Sequence, residues 1–206
     1  MTRTRAGAAA LAAAGVLFLL YPAVRPWHDE STVEGAVASM SSPAWVASHL
    51  FAMLGFILVP LGLLALRDAL RDTRSEPLAL AAAVTAWIGA GLTLPYYGAE
   101  DFGLHALAGA GVPDLLATVE EVRYNPVAAT VFATGLLALG VGAVLAAVAV
   151  ARSGVMNRWP AVVFAAGFAL FIPQFYLPPA VRVAHGVLVA AGCGWLALTL
   201  WRRTVR

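Results

Sequence analysis

Six apolar stretches divide the chain, and most of its ionisable residues fall between them. Read as helices, they predict spans over 6–24, 44–66, 78–97, 126–151, 160–178 and 180–201. Each approaches the roughly 20 residues that a helix needs to cross a hydrocarbon core of about 30 Å. Lipid offers no partner to a bare peptide group, so continuous apolar helices are the expected form. The predicted fold is all-α: a polytopic membrane protein with six transmembrane helices in one bundle, forming a single domain.

Boundary residues support these elements. Ser42 before Pro43 and Asn125 before Pro126 each place a capping side chain ahead of a proline whose missing N–H has no helical partner at that position. Pro60, Pro95 and Pro173 lie inside or near the ends of apolar runs and predict kinks. Pro178 and Pro179 predict a tight last turn. The two long connections, 25–43 and 98–125, lie on the same side. The second is expected to carry a short amphipathic helix through Leu115, Leu116, Val119 and Val122. No internal repeat is visible, so self-similarity gives no support to an inverted-repeat transporter.

Composition agrees with this reading. Hydrophobic residues make up 61% of the 206 positions and charged residues 12%, with a mean hydropathy of +0.83. Soluble domains carry about 25% charged residues. The formal charge of +2 is scattered as short clusters flanking apolar runs, a membrane pattern that implies no nucleic-acid partner. Alanine is abundant and lysine absent, the bias of a GC-rich bacterial genome. Cys193 is the only cysteine, which excludes an intrachain disulfide and reads as a small packing residue. The first apolar run is long for a secretory signal and is followed by no small-x-small cleavage site, so it reads as a span.

Arginine placement sets the orientation. Arg3, Arg5, Arg67, Arg71, Arg74, Arg152, Arg158, Arg202, Arg203 and Arg206 fall on one side of the predicted bundle. By the positive-inside rule that side is the cytoplasm, and both termini lie there in the cell membrane. The other side keeps only Arg25, Arg123 and Arg182, against Asp29, Glu30, Glu34, Glu100, Asp101, Asp114, Glu120 and Glu121.

Candidate chemistry gathers on that outer side. His49 lies about five residues inside its span, roughly 8 Å deep at 1.5 Å per residue, and His185 matches it. Gln174 and Tyr176 occupy a similar layer. The segment 96–105 brings Tyr96, Tyr97, Glu100, Asp101 and His105 together in sequence. If helix continues past Pro95, Asp101 and His105 share a face; if Gly98 and Gly103 break it, the segment is an acidic loop with interfacial tyrosines. Embedded polar groups face the bundle or snorkel outward. His49, Asp101, His105 and His185 are therefore the candidate catalytic residues, and Glu100, Gln174, Tyr176 and Arg182 the candidate ligand-binding ones.

Other readings compete at these positions. His49 and His185 at equal depth could ligate haem, or could join Asp101 and His105 around a divalent metal. The paired intrahelical histidines of a two-haem cytochrome and the HExxH spacing are both missing. Arg182 is expected to pair with Glu120 or Glu121, or else to hold an anionic group beside His185. His28, Asp29 and Glu30 read as the start of a short helix, and Arg67 to Asp72 as a mixed-sign helix extension meeting anionic lipid.

Through Ser42-Pro43-Ala44-Trp45 leading to His49, and through Tyr96-Tyr97-Gly98-Ala99-Glu100, the chain resembles a group of uncharacterised multi-spanning membrane proteins from GC-rich actinobacteria. The resemblance covers most of the chain and implies a polytopic fold; it carries no activity, cofactor or site residue with it. The residues themselves predict a polar pocket, opening outward, for a lipid-like or small amphipathic ligand. The alternatives are a structural subunit that docks another membrane protein, and a haem or metal protein.

Overall fold

The computed structural model describes residues 3–203; Arg206 lies outside the described residues. Helix α1 (Arg3–Val24) leads through short α2 (Val33–Met40) to α3 (Pro43–Ala69). Helix α4 (Glu76–Gly98) passes through a π-helical turn (Ala99–Gly103) into α5 (Leu104–Ala110). Then follow α6 (Leu115–Tyr124), α7 (Pro126–Ser153), α8 (Trp159–Ala169), a 3₁₀ turn (Pro173–Tyr176) and α9 (Pro179–Arg203). No strand occurs among the described residues. Helices α1, α3, α4, α7 and α9 are each long and apolar enough to cross a membrane, the apolar run of α4 extending through Ala110. The chain is an all-α, multi-pass membrane protein.

The expected caps form. The Ser42 hydroxyl accepts from the Ala44 N–H at 3.1 Å, and Asn125 Oδ1 accepts from Val127 and Ala128. Pro60 and Pro95 are absorbed within α3 and α4, as Pro22 is within α1. Pro173 is not. In a continued helix its ring would clash with the carbonyl four residues back, that of Ala169, and α8 stops there. The predicted 160–178 span is therefore not one helix: α8 has 11 residues, about 16 Å at 1.5 Å per residue, roughly half a bilayer core.

The long elements form a ring in chain order. Helix α1 packs on α3, α3 on α4, α4 on α7, α7 on α8, α8 on α9, and α9 closes back on α1. Phe18, Phe56, Phe168 and Phe171 fill its interior, with Phe18 in edge contact with the other three at 5.0–5.6 Å. Most seams are closed by small residues, as in other membrane bundles where backbone approach replaces hydrophobic drive. A Cβ placed on Gly89 of α4 would lie 2.7 Å from the Gly135 carbonyl oxygen of α7, and one on Gly192 of α9 would lie 2.6 Å from Phe164 Cα of α8.

One end of the ring carries a cap. Helices α2, α5 and α6 bury a second, separate core of Ala36, Met40, Trp45, Leu104, Leu115 and Val119. Thr32 caps α2 by accepting from the Gly35 N–H, and Asp29 orders the preceding turn by accepting from Ser31. Those bonds hold the Asp29 carboxyl below the usual range. The amphipathic helix expected through Leu115 and Val119 is α6. At the opposite end, Arg67 pairs with Glu76 at 2.7 Å and Arg71 with Asp68 at 2.8 Å, while Arg203 donates to the Val155 carbonyl.

Candidate functional site

Where α8 stops short, the capped end of the ring is left open between α4, α7 and the start of α9. A cavity of about 560 Å³ occupies this space. Its apolar wall is Ala129, Phe132, Ala133 and Leu136 of α7 with Ile172 and Phe175 from the segment after α8. All five tyrosines of the chain, Tyr21, Tyr96, Tyr97, Tyr124 and Tyr176, line it as well. Tyr97 is buried, whereas Tyr124 and Tyr176 are exposed at the mouth. Tyr96 stacks on Phe132 at 4.1 Å and donates to the Arg123 carbonyl oxygen.

The polar wall is a chain of alternating charges. Arg25 donates to Glu30 at 2.8 Å; Arg123 Nη2 donates to the other Glu30 oxygen at 2.8 Å; and the Arg123 fork grips Glu100 through Nε and Nη2, the shortest bond being 2.7 Å. Each of these side chains is less than a fifth exposed. Burial alone would weaken the charge of Arg123, but Glu100 and Glu30 outweigh it and hold its guanidinium above the ordinary arginine range. Arg25 also lies against Trp27 and Trp45, 4.6 and 4.8 Å from the ring centres.

Arg182 completes the lining differently. It lies over Trp27 at 4.7 Å and Phe175 at 5.3 Å, and its Nε donates to Gln174 Oε1 at 3.2 Å. Among the described residues it forms no ion pair. The expected pairing with Glu120 or Glu121 is thus replaced by a neutral partner, Gln174, which the 3₁₀ turn starting at Pro173 presents. Three lining arginines, Arg25, Arg123 and Arg182, face two lining carboxylates, Glu30 and Glu100, leaving one cationic charge in excess.

The candidate residues therefore divide. Glu100, Tyr176 and Arg182 line the cavity, with Gln174 bonded to Arg182 beside it. His49, Asp101, His105 and His185 do not line it, and the three imidazoles are bound to different backbone carbonyls. His49 Nδ1–H donates to Trp45 at 2.8 Å, His105 Nδ1–H to Met40 at 2.7 Å and His185 Nε2–H to Gly167 at 2.8 Å. A carbonyl only accepts, so each bond fixes a proton on the named nitrogen. His105 ties α5 to α2, and His185 ties α9 to α8.

No group of three histidine, cysteine or acidic side chains among the described residues is placed to hold a metal ion. The helical alternative for 96–105 is the one adopted, with Leu104 N–H bonding back to Ala99 as a π turn does. That turn leaves Asp101 fully buried, with neither carboxylate oxygen hydrogen-bonded.

The sequence reading missed Arg25, Arg123, Glu30, Tyr21 and Phe132 as site residues. A signal for several of them was present. Arg25, Arg123 and Arg182 are the three exceptions to the arginine asymmetry, and every tyrosine falls at the same end of a predicted span. No family model, curated protein or solved structure matches the chain.

Proposed function

We propose that this multi-pass protein sits in the cell membrane with both termini in the cytoplasm, and binds a lipid-like or small amphipathic ligand in its tyrosine-lined cavity, which faces the exterior. The observation that carries this reading is the make-up of the cavity wall. One side is apolar and aromatic, the other holds a paired Arg/Glu chain and one arginine without a carboxylate, and the whole lies at one end of a membrane bundle. Pockets for small amphiphiles combine a mostly apolar wall with a few placed polar groups. Orientation rests on the arginines at the opposite end, Arg3, Arg5, Arg67, Arg71, Arg74, Arg152, Arg158, Arg202 and Arg203.

The role is binding, with no acid or base assigned: His49, His105 and His185 are bonded to backbone carbonyls and do not line the cavity, and His28 is the histidine that does. Two measurements test it. Reporters fused to the C-terminus should be active only when the reporter is one that works in the cytoplasm; the reverse outcome inverts the topology. Native mass spectrometry of protein taken gently from its host membrane should show one retained amphiphile per chain. Its loss in the double variant Ala129→Trp, Ala133→Trp, which puts two indole rings into the cavity, is expected; retention in that variant would remove the cavity from consideration.

A further inference from the structure

The cavity's apolar wall has a second face. Leu136 and Ile172 also line a second hollow, a groove of about 300 Å³ between α7 and α8. The groove runs along Leu137, Gly140, Val141 and Val144 of α7 against Phe168 and Ala169 of α8. Leu137, Val141 and Val144 are each about half exposed on the outer surface of the ring. From Leu136 to Val144 the groove follows about 12 Å of helix at 1.5 Å per residue.

This seam is loose where others are tight. A Cβ on Gly140 would find its nearest neighbour, the Phe168 carbonyl oxygen, at 3.6 Å, against 2.7 Å or less at Gly89 and Gly192. The cavity and the groove share Leu136 and Ile172 in their walls, the one holding the cationic side and the other the lipid-facing surface.

We infer that the ligand is a single-chain fatty carboxylate, its headgroup on Arg182 and its hydrocarbon chain lying in the α7/α8 groove, admitted sideways from the bilayer. This rests on the cavity reading above and adds the headgroup, the chain and the route. The charge excess of the lining is one, which a monoanion neutralises. Arg182 spends only Nε on Gln174, so its two terminal nitrogens remain for the two oxygens of a carboxylate. Gln174, 4% exposed and outside the lining, holds the Arg182 side chain in place from behind through its Oε1. One groove accommodates one chain.

Binding of palmitate and of hexadecanol, which has the same chain without the charge, is measured by calorimetry on the full purified protein in neutral detergent. Palmitate should bind one per chain and at least about tenfold tighter than hexadecanol, the scale of a charge-assisted pair. Arg182→Gln should weaken palmitate about tenfold and leave hexadecanol unchanged, and Arg182→Lys should keep part of the difference. Gly140→Leu should weaken both ligands equally. Val144→Trp, at an exposed position in the same groove, repeats that plug without touching a packed seam; its unfolding midpoint verifies the fold.

Equal affinity for palmitate and hexadecanol overturns the headgroup assignment. Tighter binding of hexadecyl phosphate than of palmitate overturns the carboxylate. Unchanged binding in both groove variants overturns the route. In these three cases the cavity reading stands, whereas failure of every amphiphile to bind wild-type protein sinks the cavity reading as well.

Discussion

Helix α7 meets its two neighbours by different rules. Toward α4 it presents Gly135 and Gly142, where an added Cβ would lie 2.5 Å from Thr93 Oγ1 and 2.9 Å from the Ala82 carbonyl oxygen. Toward α8 it presents Gly140, where the same atom would have ordinary room, and a groove opens beside it. The difference follows from the partner. Helix α4 runs the full depth of the ring and can be held along its length, whereas α8 ends at Ala169 and leaves α7 with only the 3₁₀ segment around Phe175 beside it above that point. Truncation acts locally: α8 is still held tightly against α9, where a Cβ on Gly192 would lie 2.6 Å from Phe164 Cα, and it is beside its last residues, Phe168 and Ala169, that the α7 seam opens.

The clasp over the open side should be the most sensitive point. Arg123→Gln leaves Glu100 largely buried without a cation and Glu30 with Arg25 alone, and should cost about 3 kcal/mol, the scale for breaking a buried pair by removing one partner. A clear drop in the unfolding midpoint in mild detergent is expected; no change would show that the clasp is ornamental to the ring. Next, Gly89→Val forces side-chain atoms against the Gly135 carbonyl oxygen and the Leu139 N–H, and should lower stability by about 2 kcal/mol through overpacking. If that variant is as stable as wild type, the tight side of the comparison is not tight.

The third effect has the opposite sign. Asp101 is enclosed with both oxygens unpaired, so Asp101→Asn, which removes the tendency to carry buried charge, should raise the midpoint by the equivalent of about 1 kcal/mol. A fall would mean that Asp101 has a partner holding it in the membrane. The smallest effect is expected at the loose seam, where Gly140→Ala should change stability by no more than about 0.5 kcal/mol.

Much of the frame was legible in the residues. Five of the six predicted apolar stretches are long helices, because about 20 apolar residues in lipid have no other way to satisfy their backbone. Ser42 and Asn125 marked starts, and α6 was visible in the spacing of Leu115 and Val119. Pro173 was visible too, but a proline in an apolar run can kink a helix or end it. Pro60 and Pro95 lie inside unbroken helices whereas α8 ends before Pro173, so the choice belongs to packing and not to the residue.

The candidate site was legible as a side of the molecule and not as a set of contacts. Equal depth suggested that His49 and His185 meet; instead each bonds a carbonyl, one on its own helix and one on α8, because depth says nothing about which way a helix is turned. Arg123 and Glu30 are 93 residues apart and Arg123 and Glu100 are 23 apart, and no local pattern encodes such pairing.

By itself, then, the sequence determined the solvent this protein lives in, the helical form that solvent imposes, and the end of the bundle where polar chemistry collects. These are properties of composition and of short-range order. The tertiary structure alone decided that α8 stops halfway, that His105 and His185 tie neighbouring elements while His49 bonds within α3, and that all five tyrosines and three arginines share one cavity. Those depend on helix rotation and on ring closure by α1 and α9, which are set by the fit of one helix surface to another.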